Sequence, residues 1–253
     1  MKIATTIKEV RKQVADWKRE GLTVGLVPTM GALHEGHASL VDAAKDQCDR
    51  VVTSVFVNPT QFAAGEDLDA YPRDFERDCE ILEAHGCDLV FHPGVEEMYP
   101  EGAATFVELR SDMTEQLCGK SRPEHFCGVC TVVSKLFHIA MPDKAFFGEK
   151  DAQQLAVIRQ MTRDLLFGIE IVGCPTKREE DGLAKSSRNV YLDAEERKAA
   201  GILYQAICKA QEYLKEHLDT EDGKTESQPV TELIKDIIGT EPLAEIDYVD
   251  AVD

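Results

Sequence analysis

The sequence has few basic residues for its acidic content and no long apolar run. Its 253 residues include 28 Lys and Arg against 47 Asp and Glu, which gives a formal net charge of −19. A field this negative repels phosphate backbones and anionic lipids, which argues against a general nucleic-acid binder or a membrane-surface protein. No stretch reaches the roughly 20 apolar residues of a transmembrane helix, and residues 1–20 lack the apolar segment of a signal peptide. We therefore expect a cytoplasmic protein with no membrane or nucleic-acid partner.

The sequence also lacks the pattern of a disulfide scaffold, although it contains eight cysteines. They are spread over a chain that is long enough to bury a core and has no export signal, so we expect thiols. Cys127 and Cys130 form a C-x-x-C pair, and no second such pair accompanies it. We interpret this pair as a coincidence near a helix start rather than as a redox or metal site.

Apolar periodicity predicts the fold of the first 175 residues. Short apolar runs alternate there with amphipathic stretches of helical period. The predicted strands cover 22–27, 51–57, 88–91, 145–147 and 169–172, and the predicted helices cover 7–17, 37–48, 73–85, 129–140 and 151–165. This alternation predicts an α/β fold, with a Rossmann-like parallel sheet that is covered by helices on both faces.

The pattern changes after Pro175, where we place a domain boundary between residues 1–175 and residues 176–253. A loop rich in charged and small residues is followed by a long predicted helix, from Asp193 to about His217. A second helix is predicted near 230–238 and a strand over 245–253. The smaller C-terminal domain is therefore expected to be α+β.

The strongest chemical signal is LVPTMGALHEGHASLV, residues 26–41. A strand, a glycine turn and a helix start follow one another there, and His34 and His37 stand at the helix N-terminus. Unpaired N–H groups and the helix dipole make such an N-terminus an anion site, and imidazoles can add hydrogen bonds to phosphate oxygens. The alternative is an ordinary βα turn whose histidines are satisfied on the surface or bind a metal.

Two further segments could bind the same ligand. In FFGEKDAQQL, residues 146–155, Lys150 offers a charge for phosphates and Asp151 an acceptor for ribose hydroxyls. In DGLAKSSRN, residues 181–189, two hydroxyls precede Arg188 in a loop that could close over a polyphosphate. Helix capping is the alternative for both segments, with Asp193 as the start of the next helix.

Six segments in register resemble the pantothenate synthetase (pantoate–β-alanine ligase) family, over residues 1 to about 200. They are PTMGALHEGH, VFVNPTQF, YPRDFERD, SRPEHFCGVCTVVSKLF, FGEKDAQQL and DGLAKSSRNVYL. The resemblance implies a nucleotidyltransferase-like Rossmann fold and ATP-dependent condensation of pantoate with β-alanine to pantothenate. It also implies a pantoyl-adenylate intermediate, release of AMP and pyrophosphate, Mg²⁺ as cofactor and a homodimer built from the N-terminal domains.

The resemblance assigns roles to residues without identifying ligands for the metal. It implies catalytic roles for His37, His34 and Lys150. The implied ATP-binding residues are Met30, Gly31, Ala32, Leu33, His34, Glu35, Gly36, His37, Gly148, Glu149, Lys150, Asp151, Lys177, Lys185, Ser186, Ser187 and Arg188. The implied substrate-binding residues are Gln61, Gln154, Asn58 and Arg122.

The sequence departs from the family pattern at three places. Lys185 stands where the family usually has Met or Leu, Lys177 stands where it commonly has Val, and the C-terminal domain is shorter than the family norm. Two other functions stay open from the sequence. One is a nucleotidyltransferase that acts on a phosphorylated acceptor, and the other is a nucleotide-binding protein with impaired catalysis.

Overall fold

The computed structural model describes residues 1–63, 65–217 and 226–252. The chain divides into two compact units, Met1–Lys177 and Arg178–Asp253. The first unit contains a sheet of six strands, all parallel, in the order β1-β4-β3-β2-β5-β6. The strands are β1 (Lys2–Ala4), β2 (Val24–Thr29), β3 (Arg50–Val55), β4 (Leu89–Phe91), β5 (Lys144–Gly148) and β6 (Glu170–Cys174).

Helices of the first unit connect these strands. They are α1 (Ile7–Arg19), α2 (Glu35–Gln47), α3 (Phe75–Ala84), α4 (Val95–Met98), α5 (Asp112–Glu115), α6 (Cys118–Ser121), α7 (His125–Ala140) and α8 (Ala152–Asp164). Short 3₁₀ turns cover Pro59–Gln61 and Glu149–Asp151. Among the described residues, no helix is both long and apolar enough to cross a membrane.

The sheet is buried on both faces because its strand residues alternate between two apolar clusters. Leu26 and Phe147 pack in the cluster that α1, α7 and α8 cover, whereas Val27 and Phe146 pack in the cluster that α2 and α3 cover. Parallel sheets are typically covered in this way, since their crossover helices lie on the two faces. The predicted α/β Rossmann-like fold is therefore confirmed.

The second unit is helical in its described residues, with α9 (Ala194–Ala199), α10 (Ile202–His217), α11 (Ser227–Ile238) and a 3₁₀ turn at Ser187–Tyr191. The turn before these helices is shaped around Gly182, which has φ +89°, and a Cβ there would clash with the ring of Tyr204. The Arg178 guanidinium lies 4.6 Å from the centre of that ring and donates to the Gly182 carbonyl at 3.0 Å.

Three predictions about elements were wrong. Strand β1 was missed because only Ala4 of its three residues is buried, which leaves no alternating pattern. The single long helix predicted from Asp193 is two helices separated at residues 200–201, where the chain turns at Gly201. The predicted strand over 245–253 is absent from the described residues 245–252, so the described part of this unit contains helices and no strand, rather than the expected α+β arrangement. A strand needs a neighbouring strand for its backbone hydrogen bonds, and residues 245–252 belong to no sheet in the part of the chain that the structure describes.

Candidate active site

The predicted ATP-binding segments of the first unit meet at one edge of the sheet. Strands β2 and β5 are parallel neighbours in which Leu26 is paired with Ala145, and their carboxyl ends lead into residues 30–34 and 149–151. Strand β2 pairs with β3 on its other side, so the chain leaves β2 and β5 in opposite directions along the sheet. Open α/β sheets bind ligands at such a switch point.

The first of these turns has an uncommon backbone held by side chains. Gly31 has φ +88° and Ala32 has φ +51°, a left-handed conformation that costs a residue with a Cβ roughly 1–2 kcal/mol. The Gly31 N–H donates to Thr29 Oγ1 at 3.2 Å. The Asp78 carboxylate accepts from the N–H groups of Ala32 at 3.0 Å and Leu33 at 2.7 Å. Hydrogen bonds to these two side chains therefore fix the backbone before the histidines.

Asp78 was missed by the sequence predictions, although the sequence contains a signal for it. It lies three positions after Phe75 and four before Leu82, so it occupies the apolar face of α3. Its exposed fraction is 2%. A charged residue at a buried helical position is rare unless it is paired, and its partners here are 45 and 46 positions away in sequence.

The two predicted histidines form a pair at the start of α2. Their ring centres are 4.2 Å apart. His34 Nδ1 accepts from the Gly36 N–H at 3.0 Å, and His37 Nδ1 accepts from the His34 N–H at 3.4 Å. Because Nδ1 accepts in both rings, a neutral imidazole has its proton on Nε2. A Cβ at Gly36 would lie 2.7 Å from the His34 ring, so this arrangement requires glycine there.

His37 is neutral at physiological pH. Burial, with smaller contributions from His34 and Lys150, lowers its pKa to about 3. His37 is therefore a hydrogen-bond donor through Nε2 rather than a positive charge. Because Lys150 contributes to this pKa shift, its ammonium lies within electrostatic range of His37.

The second turn follows β5 directly. Gly148 ends the strand, Glu149–Asp151 form one 3₁₀ turn, and α8 begins at Ala152. The Lys150 Nζ lies 3.2 Å from Asp151 Oδ1, and the lysine side chain is 36% exposed. Glu35 and Glu149 are exposed, whereas Gly31 and Leu33 are buried. Lys177 also reaches this region, since a Cβ added to Gly36 would lie 4.0 Å from the lysine Cβ.

The predicted substrate residues Asn58 and Gln61 form a buried amide pair after β3. Asn58 Nδ2 donates to Gln61 Oε1 at 3.1 Å and to the Gly128 carbonyl at 3.2 Å. The Tyr99 hydroxyl donates to Asn58 Oδ1 at 2.8 Å. Gln61 Nε2 lies 3.1 Å from the sulfur of Met30. The predicted ATP and substrate segments are thus in direct contact through Met30 and Gln61, and Tyr99 is a member of this network that was missed.

Arg122 is joined to the same segment by an ion pair. Its Nε and Nη2 donate to the two carboxylate oxygens of Glu66 at 2.6 and 2.5 Å, and Nη2 also donates to the Gln61 carbonyl at 3.2 Å. His125 Nδ1 lies 2.9 Å from that carbonyl. The hydrogen bond from Arg122 lowers the pKa of Glu66. The Arg122 guanidinium therefore holds the Gln61 segment in place, and the Glu66 carboxylate neutralises the charge of that guanidinium.

The two adjacent glutamines of α8 differ in their surroundings. Gln153 accepts from the Cys118 N–H at 3.1 Å and donates to the carbonyls of Met113 at 2.9 Å and Gln116 at 2.7 Å. Gln154, which was predicted to bind substrate, is half-buried, and its side-chain amide has no hydrogen-bond partner among the described residues. Its amide is available to a ligand.

The remaining predicted ATP-binding residues belong to the second unit. Lys185 Nζ lies 3.0 Å from Glu179 Oε2, and the lysine side chain is only 17% exposed. Ser186 caps the 3₁₀ turn by accepting from the Arg188 N–H at 3.3 Å, and Ser187 is the first residue of that turn. Asp193 caps the next helix together with Glu196. The additional lysine of this sequence is therefore paired within its own unit.

The eight cysteines are distributed over both units. All eight are free thiols in the structure. Burial raises the pKa of Cys130 to about 12 and raises the pKa of Cys127, which favours the thiol over the reactive thiolate at both residues. Within residues 1–63, 65–217 and 226–252, His, Cys, Asp and Glu side chains form no cluster of three or more that could hold a metal ion.

Comparisons with known proteins identify one family for this chain. The family model for pantoate-beta-alanine ligase matches residues 2–253. A pantothenate synthetase of Enterococcus faecalis is 56% identical over 253 residues, which cover 100% of this chain and 87% of that protein. One from Carboxydothermus hydrogenoformans is 55% identical over 250 residues, which cover 99% of this chain and 86% of that protein.

Solved structures agree with the sequence comparison. The pantothenate synthetase of Thermus thermophilus superposes with a TM-score of 0.87 at 49% identity, over 96% of this chain and 83% of that chain. A pantoate-beta-alanine ligase of Francisella tularensis, complexed with β-γ ATP and β-alanine, gives a TM-score of 0.78 at 36% identity, over 94% of this chain and 86% of that chain. On both the family match and this level of identity, the chain belongs to the pantoate-beta-alanine ligase family.

Proposed function

We propose that the crevice at the carboxyl ends of β2 and β5 performs the ATP-dependent condensation of pantoate with β-alanine. The reaction passes through pantoyl-adenylate and releases AMP and pyrophosphate, as is typical of the family. One observation supports this placement most directly. His37 follows one of two adjacent parallel strands, Lys150 follows the other, and the charge of Lys150 acts on the pKa of His37.

The first half-reaction needs donors and alignment rather than an enzyme base. The pantoate carboxylate is ionised at neutral pH and attacks the α-phosphorus of ATP, and pyrophosphate leaves. The transition state spreads negative charge over phosphoryl oxygens, which positioned donors stabilise. We assign this role to the Nε2–H groups of His34 and His37 and to the Lys150 ammonium. The residues around them, 30–36 and 148–151, are proposed to bind the nucleotide, with Lys177 beside them.

Pantoate is proposed to lie between the two glutamines, because amides can both donate to its carboxylate and accept from its hydroxyls. The unpartnered amide of Gln154 supports this role. Asn58 orients Gln61 through the hydrogen bond between their amides. Arg122 is proposed to act on substrate indirectly, since its guanidinium is neutralised by Glu66 and holds the Gln61 backbone.

In the second half-reaction the neutral amine of β-alanine attacks the acyl carbonyl of the adenylate, and AMP leaves. The mixed anhydride needs protection from water. We propose residues 176–253 as a lid domain, whose Lys185, Ser186, Ser187 and Arg188 contact phosphates. The residue types support this role, and Lys185 would exchange Glu179 for a phosphate.

Mg²⁺ is proposed to arrive with ATP. Magnesium keeps several waters and binds substrate phosphates more often than all-protein cages. The neutral state of His37 supports a requirement for a cation, because that imidazole supplies a hydrogen-bond donor but no positive charge to offset the triphosphate. Such an ion would neutralise charge on the leaving pyrophosphate.

We also propose a homodimer formed through the first unit, in the cytoplasm. Exposed apolar side chains on this unit support the dimer: Phe106 is 56% exposed, Leu165 50% and Leu166 88%. Sedimentation or light scattering should give twice the chain mass of 28.1 kDa. The eight free thiols support a reducing compartment.

The function is tested by following AMP release with ATP, pantoate and β-alanine omitted in turn. AMP should require pantoate and ATP, and pantothenate should require all three. His37→Ala should reduce turnover by about 10²–10³-fold, the typical loss for one transition-state donor. The matched control is His85→Ala, since the His85 side chain is 37% exposed, pairs with Asp42 and is not among the predicted site residues. Wild-type turnover by the His37 variant would exclude the proposed role.

A further inference from the structure

We propose that Asp78 is a positioning residue for adenylation, which holds the phosphate-binding turn in the conformation that presents the two histidines. The inference rests on the proposed function of that turn. Asp78 does not face the ligand itself. It acts through the backbone of Ala32 and Leu33, whose N–H groups both donate to its carboxylate.

The geometry is that of an internal anion in a backbone nest. Successive N–H groups after left-handed residues converge on one point and bind anions. Gly31 and Ala32 have φ values of +88° and +51°, and the two N–H groups that follow them converge on Asp78. The N–H groups of Ala32 and Leu33 are therefore occupied by Asp78. We infer that the phosphates bind on the other side of the turn, where the imidazoles lie.

The site is built tightly enough for this role. Asp78 is 2% exposed, and a Cβ added to Gly31 would lie 3.0 Å from Asp78 Oδ2 and 3.2 Å from Val55 Cγ1. The carboxylate, the glycine and the neighbouring strand thus leave the turn little room to relax. A loss of the carboxylate would free Ala32 to leave its strained conformation.

The charge of Asp78 is costly, which indicates a specific use. Burial raises the pKa of Asp78, and the hydrogen bonds from the N–H groups of Leu33 and Ala32 oppose this rise. Of the smaller effects, Asp74 raises this pKa and His92 lowers it. A buried carboxylate without an ion partner seldom stabilises a fold more than an apolar side chain of the same size. We infer that the carboxylate serves the conformation of the turn.

Helix α3 has anchors of its own, so the role of Asp78 can be separated from folding. The Asp74 side chain caps the helix by accepting from the Arg77 N–H at 3.1 Å. Phe75 stacks on His92 with ring centres 3.9 Å apart, and Leu82 is fully buried. These contacts persist in Asp78→Asn, which keeps the shape of the side chain, retains one acceptor oxygen and turns an NH₂ group toward the second backbone N–H.

The test separates the two half-reactions in the full-length protein. Pantoate-dependent exchange of pyrophosphate into ATP reports adenylation, and the consumption of preformed pantoyl-adenylate by β-alanine reports the second step. For Asp78→Asn we expect kcat/KM for ATP in the exchange to fall about tenfold, the typical effect of one charge-assisted hydrogen bond. The KM for β-alanine should stay unchanged.

Asp74→Ala is the matched control, since it destabilises the same helix and leaves both bonds to the turn intact. A merely structural role predicts equal loss in both half-reactions, in step with the unfolding midpoint, for both variants. Wild-type exchange by Asp78→Asn, or equal loss in both steps, would overturn the proposal.

Adding Ala32→Gly to Asp78→Asn provides a second readout. Glycine adopts positive φ without strain, so the double variant should recover part of the exchange activity, and no recovery would count against the proposal. A wild-type protein without any exchange would instead contradict the proposed function, independently of Asp78.

Discussion

At the scale of single residues, His37 illustrates how position changes chemistry. A histidine in a helix-start motif suggests a cationic phosphate ligand, yet burial lowers its pKa to about 3. The ring is then a neutral donor whose tautomer is decided by the His34 N–H at Nδ1. The catalytic role that we propose for His37 is therefore that of a hydrogen-bond donor, and the positive charge proposed to act beside it is that of Lys150.

The depressed pKa of His37 predicts a pH dependence of stability. The unfolded chain binds a proton at this residue below about pH 6.5, whereas the folded chain resists it until about pH 3. The stabilisation is therefore complete above pH 6.5 and is lost as the pH falls toward 3. In urea unfolding, the free energy of unfolding of His37→Gln should fall less steeply between pH 6.5 and pH 3 than that of the wild type. Parallel curves for the two proteins would contradict the lowered pKa.

Gln153 and Gln154 provide a matched pair for substrate binding. Gln154→Ala should raise the KM for pantoate by about tenfold and leave the unfolding midpoint unchanged, because its amide has no partner among the described residues. Gln153→Ala should instead lower the unfolding midpoint and leave the KM for pantoate unchanged, because it breaks hydrogen bonds to residues 113, 116 and 118. Steady-state kinetics with urea unfolding distinguish the two. Equal effects of both substitutions on KM would disprove the assignment.

At the scale of elements, the close approach of α7 to the Pro59–Gln61 turn positions the amides of Asn58 and Gln61, which we propose to bind substrate. A Cβ at Gly128 would clash with the Thr60 carbonyl and would lie 2.6 Å from the Gln61 Cα. Only glycine allows α7 to lie so close that Asn58 reaches the Gly128 carbonyl. The location of Gln61 therefore depends on a helix more than 60 residues later in the chain.

Gly128→Ala should consequently affect stability and binding together. Overpacking at such a contact costs about 1–3 kcal/mol of unfolding free energy, and displacement of Gln61 should raise the KM for pantoate. Gly168→Ala is the control, because a Cβ added there would meet no described atom within 4 Å. Urea unfolding and pantoate titrations would measure both effects. A Gly128→Ala protein with wild-type stability would refute the close approach.

The element predictions succeeded where the signal is local. Apolar periodicity predicted α1, α2, α3 and α8 because each buries one stripe of its own residues. It failed at β1, where pairing with β4 holds residues that carry no pattern. It also failed at 245–252, where an alternating pattern has no partner strand in the described residues. Pairing is a property of two segments, so one segment alone does not reveal it.

At the scale of the whole molecule, the net charge of −19 and the binding of ATP are compatible. Exposed charges act over about 8–10 Å at ordinary ionic strength, so a distant acidic surface has little effect in the crevice. Local donors and an ion carried by ATP are proposed to supply the attraction there. The excess of acidic residues argues against polyanionic partners and leaves small anionic ligands open.

Metal removal tests whether an ion that arrives with ATP contributes to the reaction. EDTA should stop pyrophosphate exchange, and added Mg²⁺ should restore it, because the triphosphate must be neutralised for pyrophosphate to leave. The urea unfolding midpoint without ATP should not change, since the ion is proposed to enter with the nucleotide. A lower midpoint in EDTA alone would indicate a resident metal site instead.

The sequence by itself determined the fold class, the family and the order of the chemical segments, because these depend on residue types and local spacing. Tertiary structure decided how those residues act. The neutral state of His37, the hold of Asp78 on Leu33 across 45 positions and the pairing of Arg122 with Glu66 across 56 are examples. The physical reason is that desolvation and hydrogen-bond partners come from segments distant in the chain, and only the folded sheet brings those segments together.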